Sequence, residues 1–261
     1  MHNVHIDHTK SIIKERMSKI KNKIIIMSNK GGVGKSTIST LIATALVKKG
    51  FKTGILDADI HGPSIAKMTG IENLEHEVDE KGIARPIVKE NLKIVSMGSI
   101  IKETNKALIW RGPIKISVIR QFLSDFDWGE LDYLIIDLPP GTGDEPLSIC
   151  QEIDDIKGAV IVTTGQKISM LDAQKAIDFL NKINIKIISI VENMSEVICP
   201  HCNKSFKLFH SKEDIYEKLK DLKIIKIPYY TSVMEKLDNG RCFEVFENNN
   251  ELLEKIESII K

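Results

Sequence analysis

The chain has 261 residues, 42% of them hydrophobic and 28% charged. That balance is ordinary for a soluble globular protein and excludes a disordered chain, a collagen and a coiled coil. Thirty-seven basic residues against 36 acidic ones leave a net charge of +1, and only five of the basic residues are arginines (16, 85, 111, 120 and 241), so neither nucleic acid nor membrane is expected as a partner.

Four cysteines are too few for a disulfide scaffold. No run approaches the roughly 18 apolar residues of a membrane span, and no secretory signal opens the chain, so the expected compartment is the cytoplasm. Residues 1–22 are polar and basic and read as an N-terminal extension. Its His2, His5 and His8 read as parts of a frayed helix rather than as a metal site.

Residues 23–261 read as a single domain. Short apolar runs fall at 24–27, 53–56, 133–136, 159–162, 185–191 and 224–227. They are continuous rather than alternating, the pattern of parallel strands buried on both faces. Helical spacing fills 35–49, 114–126 and 168–182. Strand and helix in alternation predict an α/β fold with a doubly wound, mainly parallel sheet. Two stretches interrupt it. Residues 71–98 hold the turn Asp79-Glu80-Lys81-Gly82 and two strand-like runs, read as a β-hairpin insertion. Residues 196–212 carry two cysteines without a core pattern and read as an exposed loop.

The first strand runs into Ser28-Asn29-Lys30-Gly31-Gly32-Val33-Gly34-Lys35-Ser36-Thr37 and then a helix. Strand, glycine loop and helix form the context of a phosphate-binding P-loop. Gly31, Gly32, Val33 and Gly34 let backbone N–H groups face one point, where the helix N-terminus adds partial positive charge. Lys35 is expected on the β- and γ-phosphates, the Ser36 hydroxyl on Mg²⁺, and Thr37 near the α-phosphate. Asp137, at the end of the 133–136 run, reads as the Walker B aspartate, with Asp57 as a second holder of a Mg²⁺ water. Asp59 is placed to orient the attacking water. Gly141, in Pro139-Pro140-Gly141-Thr142-Gly143, offers its N–H to the γ-phosphate. The guanine-reading Asn/Thr-Lys-x-Asp pattern is absent (the nearest run, 211–214, starts with Ser), so the base is expected to be adenine, with Asn193 pairing its edge.

Asn29 stands where the strict pattern has glycine, and Lys30 adds a cation at the loop's start. This resembles the deviant Walker A loop of the MinD/ParA/nitrogenase iron protein class. The resemblance implies that Lys30 reaches the nucleotide of a partner subunit in an ATP-dependent sandwich dimer, where it stabilises transition-state charge.

Further runs extend the likeness: Asp57-Ala58-Asp59-Ile60-His61-Gly62-Pro63-Ser64, Trp110-Arg111-Gly112-Pro113, Trp128-Gly129-Glu130-Leu131-Asp132-Tyr133, Glu192-Asn193-Met194-Ser195 and Cys199-Pro200-His201-Cys202. Together they resemble the Mrp/ApbC family of P-loop iron–sulfur cluster carriers over residues 18–245. The resemblance implies a homodimer with a bridging [4Fe–4S] cluster, ATP hydrolysis linked to cluster loading or transfer, and apo iron–sulfur proteins as recipients. Gly165, Asn203 and Cys242 depart from residues frequent in that family.

A [4Fe–4S] cluster or a tetrahedral Zn²⁺ needs four ligands. Cys199 and Cys202 supply two, so one chain reads as half a site that a two-fold dimer completes. Cys150 and Cys242 read as structural thiols. Two other functions stay open: a MinD/ParA-type organiser of membrane or DNA, and a zinc-stapled structural dimer that binds ATP only as a ligand. The amphipathic C-terminal stretch 251–261 mixes both charges, which disfavours membrane binding.

Overall fold

The computed structural model describes residues 2–59, 62–97, 112–199, 201–202, 204–209, 219 and 221–261. Ile60, His61, Trp110, Arg111, Pro200, Asn203 and the run 211–214 lie outside the described residues.

Strand β1 (Ile20–Met27) is the spine of the sheet. Side chains alternate along a strand, so Ile24 and Ile26 enter one hydrophobic cluster while Ile25 and Met27 enter the other. Around it stand β2 (Thr53–Asp57), β3 (Ile87–Lys89), β4 (Leu92–Ser96), β5 (Leu131–Asp137), β6 (Ile156–Thr164), β7 (Ile187–Ile198), β8 (Ser205–Phe206) and β9 (Ile224–Tyr229). Their spatial order is β3-β4-β2-β5-β1-β6-β7-β8, and β9 also pairs with β7. The pairs are parallel except β3 with β4 and β7 with β8.

Helices cover both faces. On one lie α1 (His2–Ser18), α4 (Gly112–Asp125), α5 (Asp144–Glu152) and α6 (Lys167–Lys182), through Met17, Leu123, Ile149 and Ala173. On the other lie α2 (Lys35–Lys48), α3 (Ile65–Thr69), α7 (Thr231–Asp238) and α8 (Asn250–Ser258), through Ile38, Ile65, Leu237 and Ile256. This is the doubly wound sheet expected from the alternation. Gly54 allows a tight fit beneath Trp128: a Cβ there would lie 2.8 Å from both the indole and Leu131.

Three features differ from the sequence reading. The N-terminal segment is a docked helix, because Ile13 and Met17, one turn apart, are buried in the core; β1 already begins at Ile20. Lys23 caps that helix by donating to the carbonyls of Met17 and Ile20, and burial pushes its pKa down. Second, the hairpin at 71–98 is built into the sheet. Its strand β4 lies parallel to β2 with Asp57 opposite Ser96, because Leu92, Ile94 and Val95 are buried. Glu90 and Asn91, both with positive φ, make the two-residue turn. Third, β7 outruns its apolar stretch and carries the chain to Ile198, beside the cysteines. The apolar side of α8 is spent on the core through Leu252, Leu253 and Ile256. Among the described residues no helix is long and apolar enough to cross a membrane.

Candidate nucleotide site and cysteine hairpin

Ligands of open α/β sheets bind beyond the carboxyl ends of the strands, and most of the expected residues gather there. β1 ends at Met27 and α2 begins at Lys35, so residues 28–34 form the loop between them. Gly32 (φ 79°) and Gly34 (φ 83°) are left-handed, a conformation glycine adopts without a steric penalty. Gly34 caps α2 without a side-chain bond, which leaves the first N–H groups of the helix pointing into the loop. A Cβ added at Gly31 or Gly32 would meet nothing within 4 Å, so the loop surrounds an open cradle.

Lys35 is 6% exposed. Its Nζ lies 2.8 Å from Asp137 Oδ2, yet it has no acceptor at hydrogen-bonding geometry. A buried ammonium held by a single carboxylate, beside a glycine loop at a helix N-terminus, fits a phosphate chain. Ser36 Oγ donates to Asp137 Oδ2 at 2.6 Å, and Ser39 Oγ donates to Oδ1 at 2.7 Å. Ser39 escaped the sequence reading; its signal was the i+3 spacing that puts it on the same helical face as Ser36.

Asp57 and Asp137 are register partners on adjacent strands, and both are fully buried. Asp57 accepts from Ser96 Oγ at 2.9 Å and from the N–H groups of Asp59 and Ile65 at 3.2 Å. Burial first, then the neighbouring Asp137 charge, pushes the Asp57 carboxyl up to about 7; the Ser96 bond and the Lys35 charge oppose this. Two carboxylates side by side in a low-dielectric site, with three hydroxyls and one ammonium against them, fit a divalent cation. Thr37 is buried in the first turn of α2. Asp59, just beyond β2, accepts from Gly62 N at 3.2 Å.

Gly141 lies in the loop after β5, with a positive φ. Its N–H, expected on the γ-phosphate, donates to Ser28 O at 2.8 Å and ties the loop after β5 to the P-loop.

Lys30 is exposed, with its Nζ 3.5 Å from Gln166 Oε1. Asn29, the residue in place of glycine, donates to Asp172 Oδ1 on α6 at 3.0 Å. Asn193 is buried and donates to Val33 O at 3.0 Å. Beside it Thr37, Leu41, Pro228, Tyr230 and Met234 line a narrow crevice. The sequence reading missed that wall, whose signal was Pro228-Tyr229-Tyr230 directly at the end of an apolar run.

The cysteines sit on a hairpin. β7 and β8 pair Val197 with Phe206 and Ile198 with Ser205, and Cys199 N donates to Lys204 O at 3.0 Å to close the turn. Cys199 is half-buried and Cys202 exposed. Bonds from the His201 and Cys202 N–H groups, and then from the Cys202 side chain, hold the Cys199 thiol below its usual range. Burial pushes the partly buried Cys150 up to about 12 and the buried Cys242 up to about 11, which disfavours both thiolates. Among the described residues no three His, Cys, Asp or Glu side chains meet as a metal site.

Residues 19–261 match the family profile described as ParA: NUBPL iron-transfer P-loop NTPase. The "iron-sulfur cluster carrier protein" of Methanocaldococcus jannaschii is 53% identical over 197 residues, 76% of this chain and 68% of that protein. The protein of the same name from Saccharolobus solfataricus is 44% identical over 234 residues, 88% and 79% of the two chains. Among solved structures, a nucleotide-binding protein of Archaeoglobus fulgidus in complex with ADP has a TM-score of 0.77 at 38% identity, covering 91% of this chain and 96% of that one. The septum site-determining protein MinD of Pyrococcus horikoshii, complexed with Mg-ADP, has a TM-score of 0.65 at 19% identity, covering 92% and 94%. That likeness shows the shared fold.

Proposed function

This chain belongs to the NUBPL iron-transfer P-loop NTPase family, and from that premise we propose that it hydrolyses ATP and carries a [4Fe–4S] cluster held between two copies of itself, delivering it to apo iron–sulfur proteins in the cytoplasm. The observation that carries the reading is the hairpin turn that presents two thiols, one of them held toward its thiolate by backbone N–H groups. Two thiolates leave a four-ligand cargo half-bound, so Cys199 and Cys202 meet their copies across a two-fold axis. An exposed cargo bridging two chains is easily surrendered, which suits a carrier.

The nucleotide reading follows from the cradle. Lys35 turns from Asp137 to the β- and γ-phosphates, and the N–H groups of Gly31, Gly32, Val33 and Gly34 surround them. Thr37 sits at the α-phosphate, and the adenine lies in the crevice beside Asn193. Ser36, Asp137 and Asp57 would hold Mg²⁺, directly or through its waters, and the ion neutralises charge on the phosphates. Asp59 orients the attacking water. Lys30, on the surface, is available to a partner's nucleotide.

Iron and sulfide analysis of the anaerobically reconstituted protein tests the cargo. We expect about four irons and four sulfides per dimer. Cys199→Ala and Cys202→Ala each lose both while ATP binding persists, and Cys150→Ala and Cys242→Ala keep them. About one zinc per dimer without sulfide would replace this reading with a zinc-stapled dimer. A full complement in isolated monomers would make Cys150 or Cys242 a ligand and end the half-site reading.

A further inference from the structure

Strand β7 touches both halves of the molecule's chemistry. Near its middle, Asn193 Nδ2 donates to the carbonyl of Val33 inside the P-loop, with both residues buried. The fit is tight, since a Cβ at Gly34 would collide with the Asn193 amide nitrogen and stand 3.6 Å from Met194 Cε. At its end, β7 becomes one arm of the hairpin that bears Cys199. Asn193 and Cys199 are thus joined by one stretch of strand, no longer than about 20 Å at full extension.

That stretch is not regular. Met194 is left-handed at φ 56°, a region that side chains other than glycine, asparagine and aspartate rarely occupy. The pairing of β7 with β9 shifts register between Asn193 and Val197. A strained residue followed by a register shift gives the strand a place to adjust. Phosphates entering the loop draw on the N–H groups of the Val33 and Gly34 peptides, and Asn193 grips the carbonyl in between.

We propose that Asn193 is a positioning residue that couples nucleotide occupancy of the P-loop to the conformation of the Cys199–Cys202 turn through the left-handed kink at Met194. Filling the loop reorients the Val33 carbonyl. The Asn193 amide follows, and the kink passes the shift to the hairpin, changing how the turn holds its thiols. Only the purpose of this coupling rests on the cluster-carrier reading. The coupling itself is a property of the thiols, so a protein that shows it but binds no iron would refute that reading and leave this one standing.

The test uses the full chain free of iron and zinc. Alkylation of Cys199 and Cys202 by iodoacetamide is followed by mass spectrometry with and without saturating Mg·ADP, a nucleotide lacking the γ-phosphate. In the wild type the nucleotide changes the alkylation rate by about fivefold, the lower range of coupling between linked sites. In Asn193→Asp, which keeps the shape and loses the donor, the rate is insensitive to Mg·ADP at concentrations that saturate that variant. Met194→Gly removes the left-handed constraint without removing the Asn193 amide, and its thiols are likewise insensitive at saturation. A reverse arm reads binding instead: carboxamidomethylation of the two thiols changes the wild-type affinity for Mg·ADP and leaves that of Met194→Gly unchanged. No nucleotide effect in the wild type, or an undiminished effect in Met194→Gly, overturns the proposal. Should Asn193→Asp fail to fold or to bind ADP, the Met194→Gly comparison decides it.

Discussion

The ammonium nitrogen of Lys35 rests 2.8 Å from Oδ2 of Asp137, where helix α2 meets the end of strand β5. The same carboxylate accepts from Ser36 and Ser39. Lys35 is therefore the cation against two buried acids, Asp137 and its register partner Asp57. Lys35→Ala removes charge from the phosphates and from these acids at once. Nucleotide affinity should fall by about ten- to a hundredfold, the worth of one charge-assisted hydrogen bond. Turnover should drop by at least about a hundredfold. Titration with a fluorescent ADP analogue and phosphate release at saturating ATP measure the two. Wild-type-like turnover in this variant would remove the P-loop assignment.

The Asp57 carboxyl, pushed up to about 7 by burial and by Asp137, predicts a pH dependence of stability. The folded state holds this proton more tightly than the unfolded chain, whose ordinary value is 3.8. Folding therefore binds a proton across that interval, and the contribution is unfavourable to the native state as pH rises from about 4 to about 7. Urea unfolding in chelator without nucleotide should show Asp57→Asn gaining on the wild type over that window, by on the order of a few kcal/mol, and levelling off above it. Parallel curves for the two proteins from pH 4 to 8 would refute the shared-charge account of the pair.

What the sequence disclosed and what it hid divide along contact range. The loop from Ser28 to Thr37 was legible because its glycines, lysine and serine act at fixed short spacing between a strand and a helix. Asp57 and Asp137 were legible as polar ends of apolar runs. The donors that hold them, Ser39 and Ser96, lie 98 and 39 residues away from their partners, and no local pattern marks such a pair. β4 is the hairpin arm expected, and its second pairing, with β2, went unseen because a continuous apolar run does not say on how many sides it is flanked. The kink at Met194 and the grip of Asn193 on Val33 depend on backbone geometry that residue types alone do not encode.

The four thiols separate by environment. With values near 12 and 11, Cys150 and Cys242 are thiolate to only about one part in ten thousand and one in a thousand at pH 8, and the thiolate is the nucleophile. Cys199 is shifted the other way by the turn's N–H groups, so its reactivity should set in at lower pH than that of an ordinary thiol. Brief iodoacetamide treatment of native protein should mark Cys199 and Cys202, while Cys150 and Cys242 react only after unfolding. Rate profiles from pH 6 to 9, read peptide by peptide, check this. A Cys199 profile that rises later than that of a model thiol would contradict the stabilised turn.

Lys30 yields a prediction about which chain does what. Its Nζ lies out at Gln166, 3.5 Å away, and the neighbouring Asn29 is bound to Asp172 of α6. The base of the lysine is thus fixed while its charge is presented at the surface, the arrangement suited to a nucleotide on a second copy. Lys30→Gln should leave nucleotide binding by the isolated chain intact and impair turnover, and Asp59→Ala should bind ATP yet hydrolyse it slowly. In a mixed dimer the site on the Lys30→Gln chain keeps its own Asp59 and receives an intact Lys30 from its partner, so it works. The other site lacks both. Random pairing of equal amounts makes half the dimers mixed, each with one working site, so the mixture should recover about a quarter of the wild-type rate. If Lys30 acted on its own chain's nucleotide, each site in the mixed dimer would lack one essential residue, and mixing two nearly inactive proteins would restore nothing.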